Sequence, residues 1–329
     1  MTKKKATFED ALAALGGTAA PTGRVLRGLN GLDSEQLAEL QSVWPLLNAA
    51  RRAYVAEKLR EMADEDIELD FLPIFQFTLS DVEEAVRLSS IEGLWEDETP
   101  SLIDPLVVLL RSDPSPLVRA ACATALGRFM YLGEVERISR YRRDQVYSAL
   151  MGALLGAAPG SVIYQHALES LAYVSNEQIE QLIRDAYASD NQALRVTAVL
   201  AMGRSSDRRY GGLVRSELHN VLPAMRAVAA RACGELEQAE AVPDLGRLVD
   251  DSDTEVTVAA IEALGQIEGD ESKHILENAA NSSNEEVAEI AEIALAEHEF
   301  MYGDIKFSTS LFDEISDTDT ADASKDEAS

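Results

Sequence analysis

One ten-residue pattern constrains this chain more than any other feature. LRVTAVLAMG, starting at Leu194, is echoed by MRAVAARACG from Met225, VTVAAIEALG from Val256, VRAACATALG from Val118 and VAEIAEIALA from Val287. VRLSSIEGLW from Val86 and IYQHALESLA from Ile163 fit less closely. Successive starts lie 32, 45, 31, 31, 31 and 31 residues apart. Four equal intervals in a row mark a repeat array, in which each unit buries its apolar face against its neighbours.

Within the pattern, the fifth position holds Ser90, Cys122, Ala167, Ala198, Ala229, Ala260 or Ala291, and the eighth Gly93, Ala125, Ser170, Ala201, Ala232, Ala263 or Ala294. Residues three apart share one helix face, so two small side chains there let another helix approach closely. The large apolar first and ninth positions complete the stripe. Cys122 and Cys233 belong to this pattern and are expected as core filler, three repeats apart and unable to form a disulfide. Aromatic residues make up only 6% of the chain, which again favours closely packed helices.

Ahead of each pattern lies a turn rich in capping residues, such as RSDPSP, YASDNQ or DDSDTE, and before it a second apolar-periodic segment. Each unit therefore reads as a helical hairpin whose second helix carries the decamer. The interval of 45 contains an insertion of about fourteen residues around YLGEVERISRYRRDQ, expected to lengthen a loop or a first helix. Upstream, Asp33 and Gln36 occupy capping-box positions of another helical pair. The expected organisation is an N-terminal helical cap or degenerate repeat over 1–64, an all-α solenoid (superhelix) of about seven hairpins over 65–300, and an acidic, mostly disordered tail over 301–329.

These hairpins, with their V-R-x-x-A-x-x-A-L-G consensus, resemble HEAT repeats, in particular the short HEAT-like repeats first named from phycobilisome lyases. The resemblance covers residues 65–300. It implies that the arginine at the second position (Arg87, Arg119, Arg195 and Arg226) pairs with an aspartate of an inter-helix turn. Asp81, Asp113 and Asp190 are the candidates, while Tyr164, Thr257 and Ala288 replace the arginine elsewhere. Gly203, in tenth place, is expected to serve close packing or helix termination.

The same resemblance extends to enzymes. The di-iron hydroxylases of this fold carry several His-Glu dipeptides, but here only His298-Glu299 matches; His166, His219 and His274 are followed by other residues. Bilin lyases offer no short catalytic signature to check. HEAT-like DNA glycosylases use a basic groove, and charge argues against one here. The net charge is -29, with +3 over 1–60 (nine basic, six acidic), -13 over 61–110 (one, fourteen), +1 over 111–240 (fifteen, fourteen) and -20 over 241–329 (four, twenty-four). Such flanks repel a polyanion. No nucleotide-loop, zinc-protease or nucleophile-elbow motif is present in the sequence, so neither a cofactor nor a metal is expected.

The functional candidates are the arginines and tyrosines of the centre: Arg128, Arg137, Arg140, Tyr141, Arg142 and Arg143 around the insertion, and Arg204, Arg208, Arg209, Tyr210 and Arg215 two repeats later. Arginine and aromatic side chains are favoured at interaction surfaces. The expectation is a cytoplasmic, monomeric, non-catalytic protein-interaction scaffold that binds an acidic protein segment, which could be its own tail. An accessory lyase-like subunit acting on another protein is the alternative.

Overall fold

The computed structural model describes residues 6–302; residues 1–5 and 303–329, the latter holding most of the expected tail, lie outside the described residues. Eighteen α-helices and no strand occur among the described residues. The described residues form two compact units that divide between Leu236 and Glu237. In the first, α1 (Phe8–Leu15), α2 (Gly23–Leu26), α3 (Ser34–Val43) and α4 (Ala49–Glu65) precede five hairpins: α5 (Leu72–Thr78) with α6 (Glu84–Gly93), α7 (Ile103–Ser112) with α8 (Pro116–Glu134), α9 (Arg140–Gly156) with α10 (Val162–Leu171), α11 (Glu177–Tyr187) with α12 (Gln192–Arg204), and α13 (Gly211–Glu217) with α14 (Pro223–Glu235). The second unit holds α15 (Val242–Leu248) with α16 (Thr254–Gln266) and α17 (Asp270–Ala280) with α18 (Glu285–Tyr302). The architecture is an all-α repeat solenoid.

Second helices stack in series. In the first unit α4 packs on α6, α6 on α8, α8 on α10, α10 on α12 and α12 on α14; in the second, α16 packs on α18. The small positions make this stacking possible. Every fifth-position residue from Ser90 to Ala291 is buried, as is every eighth-position residue except half-buried Gly93. The tenth-position glycines Gly127, Gly203 and Gly265 meet the eighth position of the next second helix. A Cβ on Gly127 would lie 2.9 Å from the Ser170 Cβ, one on Gly203 2.7 Å from the Ala232 Cα, and one on Gly265 3.3 Å from the Ala294 Cβ. Gly203 thus serves close packing rather than termination, since α12 continues through Arg204. Where the small residue is serine its hydroxyl is satisfied: Ser90 donates to the Val86 carbonyl at 2.6 Å and Ser170 to the Ala123 carbonyl at 2.9 Å.

The turn residues act as their chemistry dictates. Ser115, Asn191 and Asp253 accept hydrogen bonds from the first backbone N–H groups of α8, α12 and α16, and Asp33 with Gln36 forms the capping box of α3. The insertion lengthens a first helix, as one of the two expectations had it, and also the second helix before it. α9 has 17 residues against 11 in α11 and 7 in α13 and α15, and α8 has 19 against 13 in α12, α14 and α16. On the last second helix Glu286, Glu289 and Glu292 are exposed.

The second position of the decamer ties its helix to the turn before it. Arg87 donates to the carbonyl of Asp81 at 2.8 Å, Arg226 to that of Asn220 at 2.9 Å, and the Thr257 hydroxyl to that of Asp251 at 3.3 Å, each six residues back. The aspartate partners implied by the resemblance lie one unit further on. Arg52 on α4 pairs with Asp81 at 2.9 Å, and Arg87 grips both carboxylate oxygens of Asp113 at 2.7 and 2.9 Å. Arg195 lies 3.6 Å from Glu217 rather than on exposed Asp190, and Arg119 donates to the Leu110 carbonyl.

Candidate partner-binding surface

The eleventh position, one residue past the tenth, carries Arg128, Tyr173, Arg204 and Glu235 in successive repeats, the first three half-buried and the last exposed. Together with Trp95 and Tyr131 these residues form a row toward the end of α8 and at or just past the ends of α6, α10, α12 and α14. The Arg128 guanidinium lies 5.6 Å from the Trp95 ring centroid and 5.3 Å from that of Phe129. One helical turn on, Tyr131 meets Tyr173 edge-to-face at 5.7 Å, and Arg204 covers Tyr173 at 5.9 Å. Cations over aromatic faces hold both groups in fixed places.

Polar groups support the row from beneath. Thr124 Oγ1 and His166 Nδ1 lie 3.0 Å apart, His166 lies 3.5 Å from Glu169, and Glu169 lies 3.9 Å from Arg204. Arg128 Nη2 donates to the carbonyls of Leu94 and Asp97, while its Nε and Nη1 are buried without a partner. Burial holds Arg128 below its ordinary range, opposed by Glu98, Asp97 and Glu96. Glu235 still reaches solvent, yet the crowding of atoms around it pushes its carboxyl up to about 7 against the pull of Arg204 and Arg231.

The sequence-selected arginines and tyrosines fall into three settings rather than one basic field. Arg128 and Arg204 stand in the row. At the junction of α8 and α9, Arg137 pairs with Glu98 at 2.6 Å, Arg142 with Asp104 at 2.7 Å and Arg143 with Glu134 at 2.7 Å. Two of these carboxylates come from the acidic 61–110 stretch, so the insertion neutralises part of its own neighbourhood. Arg140 remains highly exposed, 3.8 Å from Asp144, and Tyr141 is 74% exposed. Around the start of α13, Arg209 pairs with Asp207 at 2.6 Å and Glu180 at 3.1 Å. Tyr210 is buried with its hydroxyl unpartnered, Arg208 is exposed and Arg215 half-buried. Trp95, Tyr131 and Tyr173 escaped the sequence reading; aromatic and cationic residues just past the decamer were the signal.

The family model for HEAT repeats matches residues 71–149 and 214–296. The chain is a HEAT-repeat protein. No curated protein matches it. Among solved structures, this HEAT-repeat chain is similar to the complex of CpcE and CpcF of phycocyanin lyase from Nostoc sp. PCC7120, at 16% identity and a TM-score of 0.51 over 90% of this chain and 96% of that one. Human deoxyhypusine hydroxylase in complex with glycerol matches at 20% identity and a TM-score of 0.37, over 89% and 96%. An engineered protein matches at 15% and 0.39, over 89% and 88%. Among the described residues, no three His, Cys, Asp or Glu side chains gather in a group able to hold a metal ion, and no helix is long and apolar enough to cross a membrane.

Proposed function

We propose that this HEAT-repeat chain is a non-catalytic protein-binding module whose aromatic–arginine row receives an acidic segment of a partner protein. The observation that carries the reading is the contiguous run of Tyr131 against Tyr173 and Tyr173 against Arg204 across three successive repeats, with Arg128 one turn before Tyr131 and Tyr131 48% exposed. Tyrosine and arginine dominate interface energetics because each offers large contact area together with directional hydrogen bonds. Arg140 and Tyr141 extend the same chemistry at the α8–α9 junction. The chain's own residues 303–329, with eight acidic and two basic side chains, have the composition such a surface selects.

Affinity capture from the native host tests the reading, using the full chain beside Arg204→Glu, Tyr131→Ala and Arg209→Glu. A partner lost with the first two variants and kept with the third supports it, because Arg209 is already held by its own carboxylates. An identical captured set for all four proteins overturns it. Anisotropy of a labelled 303–329 peptide on a chain ending at Tyr302 separates the internal segment from a foreign one.

A further inference from the structure

The first unit carries a second surface whose chemistry is opposite to that of the row. The α4–α5 connection, the start of α5 and the end of α6 enclose an open cleft of ≈ 450 Å³. Its apolar lining includes Ile67, Leu69, Leu72, Phe75 and Trp95. Ile67 is 89% exposed and Trp95 57% exposed, so both present large apolar area to water at the mouth. Gly93 shapes the floor, since a Cβ there would lie 2.5 Å from the Phe75 ring, leaving that ring flush with the helix backbone.

Four carboxylates, Asp64, Asp70, Glu92 and Glu96, line the same cleft. Arg60 answers two of them, at 2.7 Å from Asp64 and 3.2 Å from Glu92. Asp70 accepts the Leu72 backbone N–H at 3.0 Å, and neither it nor Glu96 has an ion-pair partner among the described residues. The surrounding 61–110 stretch has one basic residue against fourteen acidic ones. An acidic occupant would be repelled and a purely apolar one would leave the carboxylates facing it unanswered. A cation brought beside an apolar anchor satisfies both halves, and the exposed Trp95 ring adds a face for it.

We infer that this cleft docks a partner segment bearing a large apolar side chain next to a lysine or arginine. The cleft takes a ligand of the opposite charge to the row, so the inference stands apart from the proposed function. Trp95 borders both surfaces, and a partner patterned with acidic and basic-apolar stretches would use them together.

Selection of random displayed peptides on the full chain tests this. Enriched sequences should place an aromatic or aliphatic residue beside Lys or Arg. Their affinity should fall about tenfold or more in Ile67→Ala and in the double variant Asp70→Lys, Glu96→Lys, and stay within about twofold in Arg204→Glu. Circular dichroism of each variant controls for folding, which exposed Ile67 and Glu96 do not support. Enrichment of acidic peptides lost only with Arg204→Glu would sink the cleft and leave the row standing. No enrichment, or basic-apolar peptides indifferent to the cleft substitutions, would also overturn the inference.

Discussion

Single residues hold this array together through one recurring contact. Arg87 spans its own turn and the next, bonding the Asp81 carbonyl behind it and both oxygens of Asp113 ahead. Both side chains are almost wholly buried, and Asp113 also accepts the Ser115 backbone N–H at 2.9 Å. Removing one member of a buried pair leaves the other charged and desolvated, at a cost of about 3–5 kcal/mol. Arg87→Ala is therefore expected to lower the unfolding free energy by that amount, read as a lower urea midpoint at an unchanged slope. Thr257→Val, which loses one 3.3 Å hydrogen bond, should cost only about 1 kcal/mol. A similar shift for both would show that the ion pair adds nothing beyond the turn contact. The cysteines obey the same packing logic. Cys122 and Cys233 are fully buried, and burial pushes the Cys122 thiol well above its ordinary value. Both should resist a thiol reagent in the native state and react only at the rate of unfolding, as absorbance would show.

At the scale of helices, the legible part of the sequence was whatever repeats at fixed spacing. The period of 31 located the second helices, and the alanines at positions five and eight were buried where the pattern put them. The ladder was harder to read because its partners belong to different units: Arg52 and Asp81 are 29 residues apart, Arg87 and Asp113 26. The row was hidden because Trp95, Tyr131 and Tyr173 lie at the edge of the decamer or beyond it, where charge and aromatic type vary from unit to unit. Only stacking brings them into line. Glu235, the last residue of α14, gives this line a pH dependence. Its carboxyl is raised from 4.5 to about 7, so between those values the native state holds a proton that the unfolded chain has released. Stability from this group is present at low pH, falls as pH rises through the window and is gone above it. Urea midpoints at pH 5 and pH 8 should therefore drop further for the wild-type chain than for Glu235→Gln, and equal drops would refute the assignment.

Over the whole chain the controlling quantity is a net charge of -29 that is unevenly spread. The arginines of the insertion offset part of the acidic 61–110 stretch through Glu98 and Asp104, but residues 241–329 set four cations against twenty-four acids. Salt acts on such a chain in two opposed ways. It weakens exposed pairs such as Arg137–Glu98, each contributing about 0–1 kcal/mol, and it screens the repulsion among the unpaired carboxylates. The second effect extends over every like-charged pair within a Debye length of about 10 Å at 0.1 M, and folding shortens many of those distances. Because carboxylates far outnumber cations, repulsion outweighs pairing, so sodium chloride should raise the thermal midpoint between low and moderate ionic strength. The rise should flatten once screening is complete; a monotonic fall would mean that the ion pairs outweigh the repulsion. Binding separates from stability under the same titration. On the proposed readings, an acidic segment on the row and a basic-apolar one in the cleft would each be held by local opposite charge, and each should then bind more weakly as salt is added while the fold grows more stable. Opposite slopes for affinity and thermal midpoint, measured in one buffer series, are the behaviour expected of a charged scaffold that recognises its partners electrostatically.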